Sequence, residues 1–461
     1  FLVRPFAPEA KGHGVPEVMD AIYYREGRIR PVVGFVKSIA SALSIGTGAA
    51  VGREGPIIQI GSSLGSTLGQ IVRIATWQRI TLIAAGAGAG IAATFNTPLG
   101  AVMFAVELMM PEVSARTFLP VVIATGAATY IGRLNFGLDP AFILPSIETA
   151  PLHPIQLSTM LGFVVLGVLA GLGAWAFVRL LTVMEFFFER PKLKAHPYLS
   201  HAAGMLALGT MMYVFMLGFG HYYVDGVGYG TIQGILNNEM TGVWLMALLF
   251  FAKLLATTIS LGSGSSGGVF SPSLFMGATL GGAFGAIVLP WIPGADFTIA
   301  DFAVVGMASM VSGSTGAAMT AIVMIFEMTR DYNIIVPMIL AVTLAIGVRR
   351  VLSPENIYTI KLAWRGRHIP KDRHSNMFLV RHASDTMSAA VVVMPAALGV
   401  HDALEQVRAM AKCPSHIVVA RDGRVRGVVR VSPPLLALKD IRGTGTLGDI
   451  ADDRYVLTRP D

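Results

Sequence analysis

The sequence predicts an all-α polytopic membrane protein with a small α/β domain near its C-terminal end. Of the 461 residues, 53% are hydrophobic and 14% are charged, whereas soluble proteins carry about 25% charged residues. The mean hydropathy is +0.63. The chain also contains 51 glycines, which let membrane helices approach each other closely or break inside the protein. Together these observations predict apolar helices that pack against lipid and against one another.

Seven apolar stretches reach or approach the roughly 20 residues that a spanning helix needs. They cover residues 80–106, 119–131, 155–181, 201–219, 243–261, 302–326 and 334–348. Within the first of them, Pro98 predicts two short helices joined by a break, since the residue before a proline disfavours helical geometry. The stretches 134–154 and 182–200 carry Pro, His and charge and are predicted to lie outside the membrane.

The motif GREGP at residues 52–56 introduces an apolar helix with regularly spaced glycines. Pro56 suits the first turn of a helix, where a backbone N–H has no intrahelical partner. Gly52 and Gly55 leave the backbone approachable, and the helix start adds partial positive charge. The motif therefore predicts an anion site. On these residues alone, Glu54 either takes part in that site or only stabilises the helix dipole.

The second half of the chain repeats this pattern, with GSGSSGGVFSP at residues 262–272. The register that aligns Pro56 with Pro272 also matches Gly52 with Gly268, Gly61 with Gly277, Gly65 with Gly281 and Gly69 with Gly285. In a second register, which aligns Pro98 with Ala318, Gly86 meets Gly306 and Glu107 meets Glu327. One interpretation of these matches is a glycine run that serves only helix packing. The shared register favours an internal duplication, with halves at about 1–135 and 155–365, as in transporters with a site between repeats.

The chain contains, in order, the motifs GHGVP at 12–16, GREGP at 52–56 and GVFSP at 268–272. These three motifs resemble the signature motifs of the CLC chloride channels and transporters. The resemblance covers residues 1 to about 365. It implies a homodimer in a lipid bilayer, at the inner or plasma membrane, with one pathway for chloride or another small anion in each subunit. It also implies two inverted-topology halves with broken or re-entrant helices, and further helices before Phe1.

The resemblance also implies roles for individual residues. The implied anion ligands are the backbone N–H groups near Arg53 and Gly55, those of Val269 and Phe270, the hydroxyl of Tyr358, and the residue at His13. Glu54 resembles the gating glutamate of the family, whose carboxylate occupies the anion position when ionised and swings out when protonated or displaced. Neutral dipoles suit this task because they hold an anion weakly enough to release it.

Two positions depart from the family pattern. The first motif usually carries Ser where this chain has His13, so the usual hydroxyl contact is replaced by an imidazole. Family exchangers carry two adjacent acids after the helix break, and the second delivers internal protons; here Glu107 is followed by Leu108. Glu107 is expected to have a structural or vestibule role. Lys253, the one cation in a long apolar run, either attracts anions to the inner mouth, snorkels, or forms a structural ion pair.

The absence of the second acid favours a passive gated chloride channel, and a proton-coupled chloride exchanger is the alternative. A membrane enzyme or a receptor-like sensor would be a different class. The sequence shows no His, Cys and Asp cluster with metal spacing and no nucleophile–base pair, so no enzyme activity, cofactor or metal is expected. The net charge of +7 is attributed to loops and the membrane surface rather than to nucleic acid.

After a linker at 366–386, residues 387–461 include the segment VRGVV at 425–429 and resemble a CBS domain on the cytoplasmic side. Strands are predicted at 389–393, 416–420 and 425–431, a helix at 401–411, and a hairpin turn at Asp422 and Gly423. The usual acid after the last strand is missing, because Ser432 is followed by two prolines and Leu435. This argues against nucleotide binding, and the chain is too short for a complete second module.

Overall fold

The computed structural model describes residues 2–143, 156–292, 297–369, 391–410, 414, 416–431 and 445–452. It divides into two compact units, residues 1–374 and 375–461. Among the described residues, six helices of the first unit are long and apolar enough to cross a membrane. The prediction of an all-α membrane protein with a small α/β part is therefore confirmed.

The first half of the membrane unit contains α1 (Val3–Phe6), α2 (Val15–Tyr24), α3 (Pro31–Gly46), α4 (Glu54–Ile71), α5 (Thr76–Phe95), α6 (Pro98–Phe104) and α7 (Ala115–Phe136). The second half contains α8 (Leu157–Phe188), α9 (Pro191–Ala195), α10 (Pro197–Phe219), α11 (Tyr229–Leu236), α12 (Val243–Ser263), α13 (Phe270–Val288), α14 (Ile299–Thr315), α15 (Ala318–Thr329), α16 (Ile335–Leu352) and α17 (Thr359–Trp364). Short 3₁₀ turns cover Pro8–Ala10 and Leu289–Trp291, and a π-helical turn covers Ala105–Met109.

Both halves break a helix at the same place. The predicted break before Pro98 is confirmed, because α5 ends at the left-handed residue Asn96 (φ +58°) and α6 begins at Pro98. The prediction of a single span at 302–326 is wrong: α14 ends at Thr315 and α15 begins at Ala318. The reason is Gly316, whose φ of +78° closes the end of α14 and redirects the chain.

Matched glycines bring the core helices of each half into backbone contact. A Cβ on Gly61 of α4 would collide with the carbonyl oxygen of Gly86 on α5, and one on Gly277 of α13 would lie 2.5 Å from that of Gly306 on α14. These four glycines are the pairs that the two sequence registers match. The same close crossing therefore occurs in both halves, as an internal duplication requires.

The two halves meet just before α4 and α13. Gly52 and Gly268 exchange a pair of backbone hydrogen bonds, 2.8 Å from Gly52 N to Gly268 O and 2.6 Å in the other direction. This bridge fixes the starts of the two helices beside each other, and a second bridge joins Gly12 to Ser266. The three glycine-rich motifs are thereby gathered at one place.

The second unit is a three-stranded sheet with two short helices among its described residues. β1 (Val391–Pro395) pairs in parallel with β2 (His416–Arg421), and β2 pairs antiparallel with β3 (Arg424–Arg430). The hairpin predicted between β2 and β3 is confirmed, with positive φ at both turn residues. The helices are α18 (Val400–Ala409) and α19 (Leu447–Ile450). Apolar residues of these elements, among them Val407, Ile417 and Val419, form the core.

Residues 370–386 of the predicted linker and residues 432–435 lie outside the described residues. The assignment of this unit to the CBS domains stays a prediction.

Candidate anion site

Glu54 is the first residue of α4, and its carboxylate lies at the N-terminal end of α13. The side chain is buried, with 1% of its surface exposed. Its Oε2 accepts a hydrogen bond from the backbone N–H of Ser271 (3.2 Å), and its Oε1 accepts hydrogen bonds from the hydroxyls of Tyr229 (2.8 Å) and Ser271. A carboxyl group thus occupies a helix start contributed by the other half, where backbone N–H groups and the helix dipole favour an anion.

The glycines around Glu54 are required by close contacts. A Cβ on Gly52 would collide with Glu54 Oε2, and one on Gly55 would collide with the carbonyl oxygen of His13. A Cβ on Gly268 would come within 2.6 Å of the backbone nitrogen of Gly55. Each of these glycines therefore leaves room for a carboxylate or for the backbone of another motif.

The backbone groups predicted as anion ligands lie in the first turns of α4 and α13. α13 begins at Phe270 with Val269 as its N-cap, and both residues are buried. Their N–H groups lie at the helix start, where no intrahelical carbonyl is available. Pro56 and Pro272 are each the third residue of their helix, a position that needs no intrahelical N–H donor. The structure thus brings the predicted backbone ligands to the carboxylate.

His13 and Tyr358 lie next to each other and are both buried, each with 1% of its surface exposed. Their ring centroids are 5.8 Å apart. The Nδ1 atom of His13 has no hydrogen-bond partner in the described part of the chain. Because buried polar atoms normally have a partner, this nitrogen is a candidate contact for a ligand.

The side chain of Arg53 packs against two aromatic rings. Its guanidinium lies over the rings of Phe95 and Tyr229, 5.3 Å from each ring centroid. It also makes a long hydrogen bond of 3.4 Å to the carbonyl oxygen of Thr94. The side chain of Arg53 therefore packs on the aromatic wall of the site, while its backbone lies in the glycine-rich motif.

Lys253 is fully buried on α12 and anchors the segment that leads into α11. Its ammonium donates hydrogen bonds to the carbonyl oxygens of Val224 (2.9 Å) and Gly226 (2.8 Å). It also lies 4.9 Å from the ring centroid of Phe275. These contacts give Lys253 a structural task, and a role in attracting anions stays a prediction.

Glu107 and Glu327 form reciprocal helix caps: Glu107 caps the start of α15, and Glu327 caps the start of α6. Glu107 accepts hydrogen bonds at the start of α15, from Met319 N (3.3 Å), Thr320 N (2.8 Å) and Thr320 Oγ1 (2.8 Å). Glu327 accepts them at the start of α6, from Leu99 N (3.1 Å) and Gly100 N (2.7 Å). Each carboxylate satisfies otherwise unpaired first-turn N–H groups. Leu108 follows in the π-helical turn and is buried.

Sequence reasoning missed two residues of the site, Tyr229 entirely and the side chain of Ser271. A signal for the first was present in the sequence. The register that aligns the two helix motifs also places Gly12 on Gly228 and His13 on Tyr229. Both glycines have a φ of +77°, so the two aromatic residues follow the same backbone turn in the two halves.

Comparisons with known proteins agree with this arrangement. A family model described as "Voltage gated chloride channel" matches residues 1–350. The chain is similar to the H(+)/Cl(-) exchange transporter ClcA of Vibrio cholerae serotype O1, with 34% identity over 373 residues, 78% of this chain and 75% of that protein. A ClcB-like chloride channel protein of Ralstonia nicotianae is 31% identical over 357 residues, 76% of this chain and 79% of that protein.

Among solved structures, the chain is similar to a slow cyanobacterial Cl-/H+ antiporter. That match has a TM-score of 0.70 and 28% identity, and it covers 79% of this chain and 83% of the antiporter. The family match spans most of the membrane unit and includes all three glycine-rich motifs. The chain therefore belongs to the voltage-gated chloride channel family, as its three motifs predicted.

Proposed function

We propose that this protein moves chloride across a membrane in exchange for protons, and that Glu54 is the group on which the two ions act. The observation that supports this is the position of the Glu54 carboxylate at the start of α13. A carboxylate in an anion site has to be displaced or protonated before an anion can take its place. Chloride and protons therefore both act on the same closed state, chloride by displacing the carboxylate and a proton by neutralising it, and this shared target is the basis for the proposed exchange.

The proposed chloride ligands are neutral donors. They are the first-turn N–H groups of Val269 and Phe270, the backbone near Arg53 and Gly55, the hydroxyl of Tyr358 and the imidazole of His13. Such dipoles can replace part of the hydration shell of an anion without trapping it, as a charged lysine at the same distance would. The unpartnered Nδ1 of His13 supports its place in this set.

Exchange is proposed in preference to the passive channel that the sequence favoured. The sequence favoured a channel because the apolar Leu108 stands where family exchangers carry the acid that delivers protons from inside. The names of the Vibrio relative and of the cyanobacterial structure, both exchangers, support the alternative. The passive channel is retained as the second candidate because Leu108 is buried and apolar and because the Ralstonia relative is named a chloride channel protein.

The test is whether a chloride gradient drives protons uphill in liposomes that contain the purified protein. We expect the wild-type protein to move protons against their gradient, and the Glu54→Gln variant to move chloride without protons. Glu112→Gln, an exposed acid outside the site, serves as the matched control and is expected to behave as wild type. Chloride flux without any proton movement in the wild-type protein would leave the channel as the correct function.

Two further assignments remain proposals. We propose that a second copy of the chain completes a homodimer in the inner or plasma membrane, as the family resemblance implies. The C-terminal unit is proposed to be a cytoplasmic CBS-like domain that binds no nucleotide by the usual ribose contact. Its strand order and hairpin are compatible with this proposal.

A further inference from the structure

The hydroxyls of Tyr229 and Ser271 form a compact group with one oxygen of the Glu54 carboxylate. The phenol oxygen lies 2.8 Å from Glu54 Oε1 and 2.9 Å from Ser271 Oγ. Ser271 Oγ also contacts the same carboxylate oxygen, while its backbone N–H binds Oε2. Three donors from the second half thus converge on a single acid from the first half.

The phenol of Tyr229 is held in place independently of Glu54. The ring of Phe142 packs edge-on against it, with centroids 5.4 Å apart, and the guanidinium of Arg53 lies over its face. Tyr229 is also the first residue of α11, directly after the segment that Lys253 anchors. A side chain fixed by packing and by its backbone presents its hydroxyl at a defined point, so little entropy is lost when the hydrogen bond forms.

The duplication explains why a side chain of the second half is placed at this point. In the first half, Lys37 is buried and donates hydrogen bonds to the carbonyl oxygens of Ala10 (2.9 Å) and Gly12 (2.6 Å), just before His13. In the second half, Lys253 anchors the segment before Tyr229 in the same way, and the register of the helix motifs pairs the two lysines. Tyr229 is therefore the counterpart of His13, and it faces the gate from the second half.

The hydrogen bonds of this group stabilise one position of the Glu54 side chain. An ionised carboxylate only accepts hydrogen bonds, and here it meets two hydroxyls and one N–H that donate. Hydrogen bonds to a charged acceptor are roughly twice as strong as those between neutral groups. A protonated or displaced Glu54 gives up at least part of these bonds, so the hydroxyls stabilise one position of the side chain over the others.

We propose that the hydroxyls of Tyr229 and Ser271 act as a latch that holds the ionised carboxylate of Glu54 in its closed position and so sets how readily the gate opens. This proposal rests on the proposed gating role of Glu54. Tyr229 and Ser271 act through Glu54 and are positioning residues. The backbone N–H of Ser271 is common to every variant at that position, so the latch can be weakened without removing the helix end that receives the anion.

The experiment compares chloride flux from liposomes for the Tyr229→Phe, Ser271→Ala and doubly substituted proteins, each with Glu54 present and in a Glu54→Ala background. With Glu54 present, we expect each single substitution to raise flux at neutral pH by about tenfold, the typical effect of one hydrogen bond to a charged group. In the Glu54→Ala background, the same substitutions should leave flux unchanged, because the latch has nothing to hold.

Two variants serve as matched controls. Tyr213→Phe removes an exposed phenol on α10, and Ser309→Ala removes a buried hydroxyl on α14 that donates to a carbonyl of its own helix. Both are expected to give wild-type flux. Size-exclusion profiles of all proteins show whether each variant is folded, and Ser271→Ala tests the latch separately if Tyr229→Phe fails to fold.

Two outcomes would overturn the latch. One is unchanged flux in both single variants. The other is an equal change with and without Glu54, which would mean that the hydroxyls act on the anion directly. Failure of the proposed function gives a different result, because then the wild-type protein would move no chloride or Glu54→Ala would not alter the flux. The two failures are therefore separable in one set of proteins.

Discussion

The two halves of the membrane unit share a scaffold and differ at its most important residue. Each half buries a lysine that holds the carbonyls of a glycine-rich segment, Lys37 in the first and Lys253 in the second. Each half then crosses two helices at a pair of glycines, and the second helix of each pair, α5 or α14, ends at a break. The register of the helix motifs, however, places Glu54 on Phe270. One half supplies a carboxylate, and the other supplies the N–H and O–H groups that receive it.

This difference between the halves is the basis for the proposed gate. Two equal helix ends would form two equal anion sites. Because Glu54 reaches the helix end of the other half, a single carboxylate lies in the candidate site, and we propose that it responds both to anions and to protons. Tyr229 and His13 are a second difference between the halves. The same backbone turn places the phenol of Tyr229 against the Glu54 carboxylate in the second half and the imidazole of His13 near Tyr358 in the first.

The largest difference between the two halves is expected when a methyl group is added at one matched glycine and then at the other. Gly268→Ala places a Cβ against the backbone nitrogen of Gly55, and we expect it to abolish transport because neither backbone can move aside. Gly52→Ala places a Cβ against the Glu54 carboxylate instead. It should expel that side chain and give the flux of Glu54→Ala. Liposome flux measures both.

The control for this pair is Gly52→Ala combined with Glu54→Ala, in which the added methyl group meets no carboxylate. Its flux should equal that of Glu54→Ala alone. If Gly52→Ala kept wild-type gating, the carboxylate would not lie where the structure places it.

The buried lysines offer a test of the shared scaffold. Lys37→Met and Lys253→Met each leave two carbonyl oxygens without their donor, and we expect each to lower the free energy of unfolding by about 3 kcal/mol. The reason is that a buried acceptor without a partner keeps its full desolvation cost. Denaturation of the detergent-solubilised protein gives the values. A large loss in one variant and none in the other would show that the two anchors are not equivalent.

The reciprocal caps should have smaller and equal effects. Glu107→Gln and Glu327→Gln weaken one cap each, at the starts of α15 and α6, and we expect a loss of about 1 kcal/mol in the free energy of unfolding for either. Proton coupling should be unaffected. A Glu107→Gln variant of normal stability that alters anion flux would instead assign Glu107 to the vestibule of the pathway.

The smallest effect is expected at His13. His13→Ser restores the residue that the family usually carries and exchanges one neutral donor for another. We expect chloride affinity to change about fivefold, which corresponds to one hydrogen bond, and selectivity among chloride, fluoride and nitrate to shift with it. Equal affinities and selectivities for the two proteins would remove the imidazole from the site.

The sequence predicted the parts of this account that depend on local pattern. The lengths of the apolar stretches predicted most of the helices, and the register of glycines predicted the duplication. The motif around Glu54 predicted the helix start that an anion needs. The break at Gly316 was missed because an apolar stretch of small residues does not show where a backbone turns left-handed. Only the matching break at Asn96, in the other half, could have indicated it.

The contacts that the sequence could not predict are long-range. Tyr229 is 175 residues from Glu54 in the chain, and its phenol reaches the carboxylate only because Lys253 and Phe142 fix the start of α11. Glu107 likewise caps a helix 212 residues further on, so its partner is invisible to local motifs. Such residues are found by aligning the two repeats, because each position in one half then points to a counterpart in the other.

The central claim is that the Glu54 carboxylate occupies a place that an anion would otherwise take. Calorimetric titration of the purified protein with chloride, for wild type and for Glu54→Ala, tests it most directly. We expect the variant to bind chloride about tenfold more tightly, because the anion no longer competes with a hydrogen-bonded carboxylate at the start of α13. Equal affinities, or weaker binding by the variant, would contradict this account of the gate.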